Sequence, residues 1–258
     1  MQKLFLVSTG PGHSDFLTTA TRNAIDEVSD IVGYGLYLDL LDHLVKEKVC
    51  HTTNLGEEID RAALALNLAS EGKATALVSS GDVGIYAMAS VVFELMERQE
   101  LNGESYPHWG DVEVRVVPGI SAMQAASSRV GALLGHDFCT ISLSNLLTPW
   151  QTIEKRIHSA GQGDFVVSFY NPVSKKRDWQ LDRAVEILLE YRPAATPAIL
   201  ARNVTRPTER IQQLSLSEIR GENVDMFTLV SVGNSESRRF TTSRGSYIYT
   251  PRGYSGKL

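Results

Sequence analysis

Short β-branched and apolar runs alternate with stretches of helical period along this chain, beginning with Lys3-Leu-Phe-Leu-Val7. Such alternation is the pattern of a parallel sheet flanked by helices. The first half predicts strand 3–8, helix 15–28, strand 30–34, helices 36–46 and 57–71, strand 74–79 and helix 86–99. A polar segment containing Gly and Pro, residues 100–111, breaks the pattern ahead of a strand over 111–117. The second half predicts helix 120–134, strand 138–143, helix 150–160, strand 164–169, helix 178–191 and strand 197–201. Residues 210–214, 226–232 and 247–250 read as more hairpin-like strands. The expected fold class is therefore α/β, in two α/β lobes of residues 1–117 and 118–258.

The strand exits are more informative than the strands themselves. They read Thr9-Gly-Pro-Gly12, Gly33-Tyr-Gly35, Ser79-Ser-Gly-Asp82, Pro118-Gly-Ile-Ser121, Tyr170-Asn-Pro172, Arg202-Asn203 and Gly233-Asn-Ser235. Open parallel sheets bind ligands beyond the carboxyl ends of their strands, where small and polar residues let the backbone approach. Any single exit is an ordinary turn. The set predicts one ligand in a cleft between the lobes.

Composition narrows the ligand. The chain has 258 residues, 43% hydrophobic, with a formal net charge of −5, which argues against general nucleic-acid binding but permits an anionic small molecule held by a local arginine cluster. Cys50 and Cys139 lie far apart in unlike settings, so no disulfide framework or CxxC pair is expected. With no signal-like start and no apolar run near the roughly 20 residues that cross a bilayer, the expectation is a soluble, cytoplasmic protein without a membrane partner. Cys50-His51 has no further ligands nearby and no HExxH occurs, so a protein metal site is not expected.

Residues 8–18, STGPGHSDFLT, resemble a phosphate cradle at first sight. A P-loop needs a lysine and a hydroxyl after its last glycine, and neither comes after Gly12. The dinucleotide fingerprint needs a third glycine, where this chain has Asp15. Pro11 also removes a backbone donor where phosphate would need one. The loop suits a close, rigid, mostly apolar approach, with Ser14 or Asp15 as a cap for the next helix.

Thr9-Gly-Pro-Gly12, Ser80-Gly-Asp82 and Val117-Pro-Gly-Ile-Ser-Ala122 together resemble the tetrapyrrole methylases, S-adenosylmethionine-dependent enzymes of two α/β lobes in the class III fold. The wider spelling is similar to the branch that acts on precorrin-3B at C-17 in cobalamin biosynthesis. It is carried by Gly33-Tyr-Gly-Leu-Tyr-Leu-Asp39, Ser79-Ser-Gly-Asp-Val-Gly-Ile-Tyr86, Gly135-His-Asp-Phe138, Ile141-Ser-Leu-Ser-Asn-Leu-Leu-Thr-Pro-Trp150, Phe169-Tyr-Asn-Pro172 and Thr250-Pro-Arg-Gly-Tyr254. In one departure, Gly81-Asp82-Val83 stands where the family often has Gly-Asp-Pro.

The resemblance implies S-adenosylmethionine as cofactor, S-adenosylhomocysteine as product, a tetrapyrrole substrate, direct methyl displacement without a protein nucleophile, and a homodimer. By position, Pro11, Ser80, Gly81, Asp82, Ile85, Ser121, Ala122, Tyr170, Asn203 and Gly233 would line the cofactor site. Asp82 reads equally as a counter-charge or a helix cap, and Tyr170 as a wall or a packed strand-end aromatic. His136 is the candidate for proton transfer, against a hydrogen-bonded turn histidine. Lys175, Lys176, Arg177, Arg202, Arg206 and Arg252 are candidates for the substrate carboxylates, though a basic run is usually a solvated face. Met88, Met96 and Met123 read as core. The alternatives are a cobalt-containing analogue as substrate, a sister methylase of another substrate such as diphthine, and a non-catalytic tetrapyrrole carrier.

Overall fold

In the computed structural model, which describes residues 2–102, 109–175, 177–254 and 257, strand β1 (Lys3–Ser8) sends Leu4 and Leu6 into one hydrophobic cluster and Phe5 and Val7 into another. Successive side chains of a strand point to opposite faces, so β1 is covered on both. It lies in an all-parallel sheet with β2 (Asp30–Tyr34), β3 (Val49–Thr53), β4 (Thr75–Ser79) and β5 (Glu113–Val117), in the order β3-β2-β4-β1-β5. Helices α1 (Thr19–Glu27) and α2 (Gly35–Asp39) supply Ile25 and Leu38 to the Phe5 face. Helices α3 (Glu58–Ser70) and α4 (Met88–Asn102) supply Leu66, Met88 and Val92 to the Leu4 face. These elements form one compact unit, Met1–Ser121.

The second unit, Ala122–Leu258, opens with α5 (Ala122–Val130) and the two-residue strand β6 (Gly131–Ala132). Its main sheet holds β7 (Phe138–Ser142), β8 (Val166–Tyr170), β9 (Pro197–Arg202), β10 (Arg210–Ser215) and β11 (Thr228–Val232). The order is β10-β9-β11-β8-β7. Helices α6 (Trp150–Gln162) and α7 (Gln180–Leu189) pack Ile153, Ile157, Leu181 and Leu188 on its core around Phe169. A hairpin of β12 (Arg238–Thr242) and β13 (Gly245–Tyr249) joins β6 in a smaller sheet.

This second sheet is mixed: β7, β8 and β9 keep the parallel direction that the alternation predicts, and the strands that read as hairpin-like, β10 and β11, run against them. Strand β11 runs antiparallel to both of its neighbours, β8 and β9, and β10 runs antiparallel to β9. Strands β7, β8 and β9 therefore end at one edge, where β11 begins, and β11 ends at the opposite edge. Helix α1 also starts later than predicted. Residues Ser14–Phe16 form a separate 3-10 turn that the His13 side chain caps, and Thr18 caps α1 instead of Ser14 or Asp15. Predicted helix 36–46 is broken into α2 and a 3-10 turn at Asp42–Val45. Met88 and Met123 are buried, and Met96 packs against the core. Lys176 and residues 103–108 of the polar segment lie outside the described residues.

Candidate functional site

Three neighbouring strands of the first sheet, β4, β1 and β5, end side by side, and their exit loops are laced together. Gly10 and Gly81 exchange two backbone hydrogen bonds, at 3.1 and 2.7 Å, forming an isolated antiparallel bridge beyond the parallel strands. Both adopt left-handed φ, +68° and +71°, which favours glycine at each. Gly119 from the third loop comes closer still. A Cβ there would lie 2.4 Å from the Ser8 Cβ and 2.9 Å from the Gly81 carbonyl oxygen. Ser8 Oγ in turn accepts the Val83 N–H at 2.8 Å, the donor that a proline at 83 would lack.

Asp82 ties two of these loops. Its Oδ1 accepts the Gly84 N–H at 2.8 Å and its Oδ2 accepts the Gly119 N–H at 2.9 Å, across 37 residues of chain. It does not cap α4, which begins at Met88. The half-buried carboxylate thus uses both of its oxygens as acceptors. Pro11 is buried, while Ser80, Gly81 and Ile85 are half-buried around the same bridge. Residues 8–17, 79–87 and 117–121 contain Asp15 and Asp82 but neither lysine nor arginine. Their donor set lacks the fixed cations that a phosphate site uses, and suits a ligand carrying positive charge.

In the second unit the edge where β7, β8 and β9 end gathers a separate set of groups. The Tyr170 hydroxyl accepts the Met123 N–H in the first turn of α5 at 3.3 Å, next to Ala122. Asn203, at a left-handed φ of +48°, donates its N–H to Phe227 O and its side-chain amide to Thr208 Oγ1. Asp225 shapes the start of β11, accepting from Thr228 Oγ1 and Phe227 N–H, and from Arg202 Nε at 2.6 Å. Burial pushes the Asp225 carboxyl up, but the donors from Arg202, Thr228 and Phe227 outweigh it and hold the pKa below the usual carboxylate value. A depressed folded-state pKa contributes stability above the unfolded value of about 4, and that stability disappears as pH falls through the folded value. Asp225→Asn should therefore lower the thermal midpoint at pH 7, and the gap from the parent should narrow as pH falls below about 4. A gap constant with pH would assign the loss to geometry rather than charge.

A family model of the tetrapyrrole (corrin/porphyrin) methylases matches residues 3–220. The chain belongs to that family. The precorrin-3B C(17)-methyltransferase of Sinorhizobium sp is 40% identical over 254 residues, 98% of this chain and 97% of the relative. The cobalt-factor III methyltransferase of Priestia megaterium is 41% identical over 255 residues, 99% of this chain but 46% of the relative, so this chain spans about half of that protein's length. The crystal structure of the methyltransferase CobJ aligns with a TM-score of 0.87 at 40% identity, covering 96% of this chain and 99% of that one.

Within this tetrapyrrole methylase, Pro11, Ser80, Gly81, Asp82, Ile85 and Ser121 belong to the first unit's exit loops, and Ala122, Tyr170 and Asn203 to the second unit's edge. Gly233 does not join Tyr170 and Asn203. Because β11 is reversed, Gly233 lies just past its far end, donating to Pro197 O and accepting from the buried Arg192. Met226 and Phe227, just before β11, occupy the place at the methylase's Tyr170 edge that the sequence assigns to Gly233. Only strand direction could have revealed them. His136 is also at the opposite edge, two residues before β7, with its Nδ1 accepting the Asp137 N–H at 2.8 Å. Four residue steps of β8, roughly 13 Å, separate the two edges.

Of the candidate cations, Arg177 is buried and donates to the Leu143 and Asn171 carbonyls, and burial pushes its pKa down. Arg202 is engaged by Asp225. Arg252 comes just after Thr250, which packs on Gly135 beside His136. Lys175 and Arg206 lie on the Tyr170 edge, in the loops after β8 and β9. His51 is paired with Asp30 at 2.8 Å, and among the described residues no group of three or more His, Cys, Asp or Glu could hold a metal ion. No helix among them is long and apolar enough to cross a membrane.

Proposed function

We propose that this chain transfers a methyl group from S-adenosylmethionine to C-17 of precorrin-3B, with contraction of the macrocycle, in cobalamin biosynthesis. The observation that carries the reading is 40% identity to a precorrin-3B C(17)-methyltransferase along nearly the whole of both chains. S-adenosylhomocysteine is the other product, and the working form is a cytoplasmic homodimer.

The laced loops of the first unit fit the cofactor chemically. A sulfonium and an ammonium group favour a site with a carboxylate and no fixed cation, and Asp82 supplies that carboxylate where lysine and arginine are lacking. When bound, the cofactor supplies an electrophilic methyl on a positively charged sulfur. The chain's own share is position and field: the Gly10–Gly81 bridge and the Asp82 bonds to Gly84 and Gly119 hold the loops in one arrangement before any ligand arrives. No side chain needs to act as nucleophile.

Asp82→Ala should weaken S-adenosylhomocysteine binding at least about tenfold, near 1.4 kcal/mol, in isothermal titration. Asp82→Asn, which keeps one acceptor oxygen and the side-chain volume, should fall between the two. Unchanged affinity in a folded Asp82→Ala protein would leave Asp82 as a tie between loops and nothing more.

The second reading, methylation of cobalt-factor III, draws on 41% identity to a relative with that name. Incubating the protein with S-adenosylmethionine and either metal-free precorrin-3B or cobalt-factor III decides between them. Gain of one methyl by the metal-free substrate, located at C-17 by NMR, is the expected result. Transfer to the cobalt-containing substrate alone would move the assignment to the second reading.

A further inference from the structure

We propose that Leu146 and Leu147, in the loop between β7 and α6, form a rigid apolar rest for one face of the tetrapyrrole substrate. The inference rests on the functional reading above and assigns part of the substrate site. The two side chains are 86% and 98% exposed, side by side, in a chain whose other leucines are mostly buried. Scattered exposed leucines need no explanation, but an adjacent pair thrust outward from a fixed loop marks a contact surface.

The loop is held at both ends, so the leucines are not exposed by looseness. Before them, Leu143 is fully buried, and Arg177 Nη1 donates to the Leu143 carbonyl at 3.2 Å and to that of Asn171 at 2.5 Å. Asn171 Nδ2 reaches Ser142 Oγ at 3.1 Å. After them, Trp150 opens α6 and packs edge-on against Trp179, with ring centroids 4.8 Å apart. A buried guanidinium and a tryptophan pair are a large investment of structure in a loop whose tip makes no core. They fix where the tip points.

The loop's place on the sheet argues for the occupant. Ser142 pairs with Tyr170 at the ends of β7 and β8, so Leu146 and Leu147 leave the same edge as Tyr170 and Asn203. Crossing that edge in sheet order, the loop after β9 carries Arg206, the approach to β11 carries exposed Met226 and Phe227, the loop after β8 carries exposed Lys175, and the loop after β7 carries the leucine pair. The two apolar groups are two strand spacings apart, roughly 10 Å. Cations lie between and beside them. Apolar contacts interleaved with basic groups match a flat macrocycle with an apolar face and carboxylates around its rim.

The test compares the full chain with Leu146→Ser/Leu147→Ser, titrating each with uroporphyrin III, a stable polycarboxylate macrocycle, by fluorescence, and with S-adenosylhomocysteine by calorimetry. Macrocycle affinity should drop at least tenfold, about 1.4 kcal/mol, with S-adenosylhomocysteine binding unchanged. Leu146→Met/Leu147→Met should restore most of the macrocycle affinity. In the methyl-transfer assay the serine variant should raise KM for the macrocycle far more than it lowers kcat. Equal macrocycle affinity of parent and serine variant overturns the proposal and leaves the functional reading standing. Failure of the parent itself to bind macrocycles overturns both. A serine variant that loses self-association in analytical ultracentrifugation while keeping macrocycle affinity would assign the pair to a second copy of the chain instead.

Discussion

Arg192→Met should lower the unfolding free energy of the second unit by about 3 kcal/mol, seen as a lower urea midpoint with an unchanged slope. Arg192 is 4% exposed and binds three carbonyls from two distant stretches of chain. Its Nη1 donates to Gly233 O at 2.5 Å, and its Nη2 donates to Phe165 O and to Ala160 O in the last turn of α6. The cation thus closes a helix C-terminus, where its charge is favourable, and ties the start of β8 to the end of β11. Methionine fills comparable volume but donates nothing. Ala160 O keeps the Phe165 N–H, so the cost falls on Gly233 and Phe165. The opposing term is the desolvation of the guanidinium, whose pKa burial pushes down. A loss under 1 kcal/mol would mean that desolvation nearly cancels the hydrogen bonds, as it does for some buried ion pairs.

Gly119→Ala should abolish measurable S-adenosylhomocysteine binding and destabilise the first unit by about 2 kcal/mol. The new methyl would sit 2.4 Å from the Ser8 Cβ and 2.9 Å from the Gly81 oxygen, and neither is the end of a flexible side chain that can swing away. One of the laced loops has to move. Moving Gly119 stretches its bond to Asp82, and moving Ser8 stretches its bond to the Val83 N–H. Ser8→Ala is the useful control, since it removes only the hydroxyl and leaves the space alone. Calorimetric affinity and thermal midpoint together check the prediction, and parent-like binding by Gly119→Ala would show that the loops are not one preorganised body.

The central strands were legible because burial on both faces writes continuous apolar runs, as in Leu4–Val7 and Ala76–Val78. The three strands that pattern reading misses, β3, β12 and the two-residue β6, are sheet edges. Val49-Cys-His-Thr-Thr53 and Arg238-Arg-Phe-Thr-Thr242 are largely exposed, so neither carries the apolar signal that burial imposes. Charges along β12 are what an open edge uses to discourage further pairing. In the first unit, loop spelling led to Ser80, Gly81 and Asp82 because every strand there runs the same way and every exit faces the same edge. The partnership of Asp82 with Gly119 was not legible, since the whole α4 crossover, 37 residues of chain, lies between them. In the second unit the same spelling misplaced Gly233, because periodicity reports which side chains are buried and nothing about strand direction. Arg177 shows the reverse error: a basic residue among lysines reads as solvated, yet it is drawn inward by two carbonyls.

Strand β11 is the last of its sheet to leave the ribosome, yet it lies between β8 and β9. Before it arrives, each of those two strands has one unpaired flank, and closing the sheet requires insertion rather than addition at a rim. Long-range pairing of this kind is slow compared with hairpin or helix formation. A chain truncated before Thr228 would thus present two apolar strand flanks to its surroundings, and would pair with another chain more readily than it could complete itself.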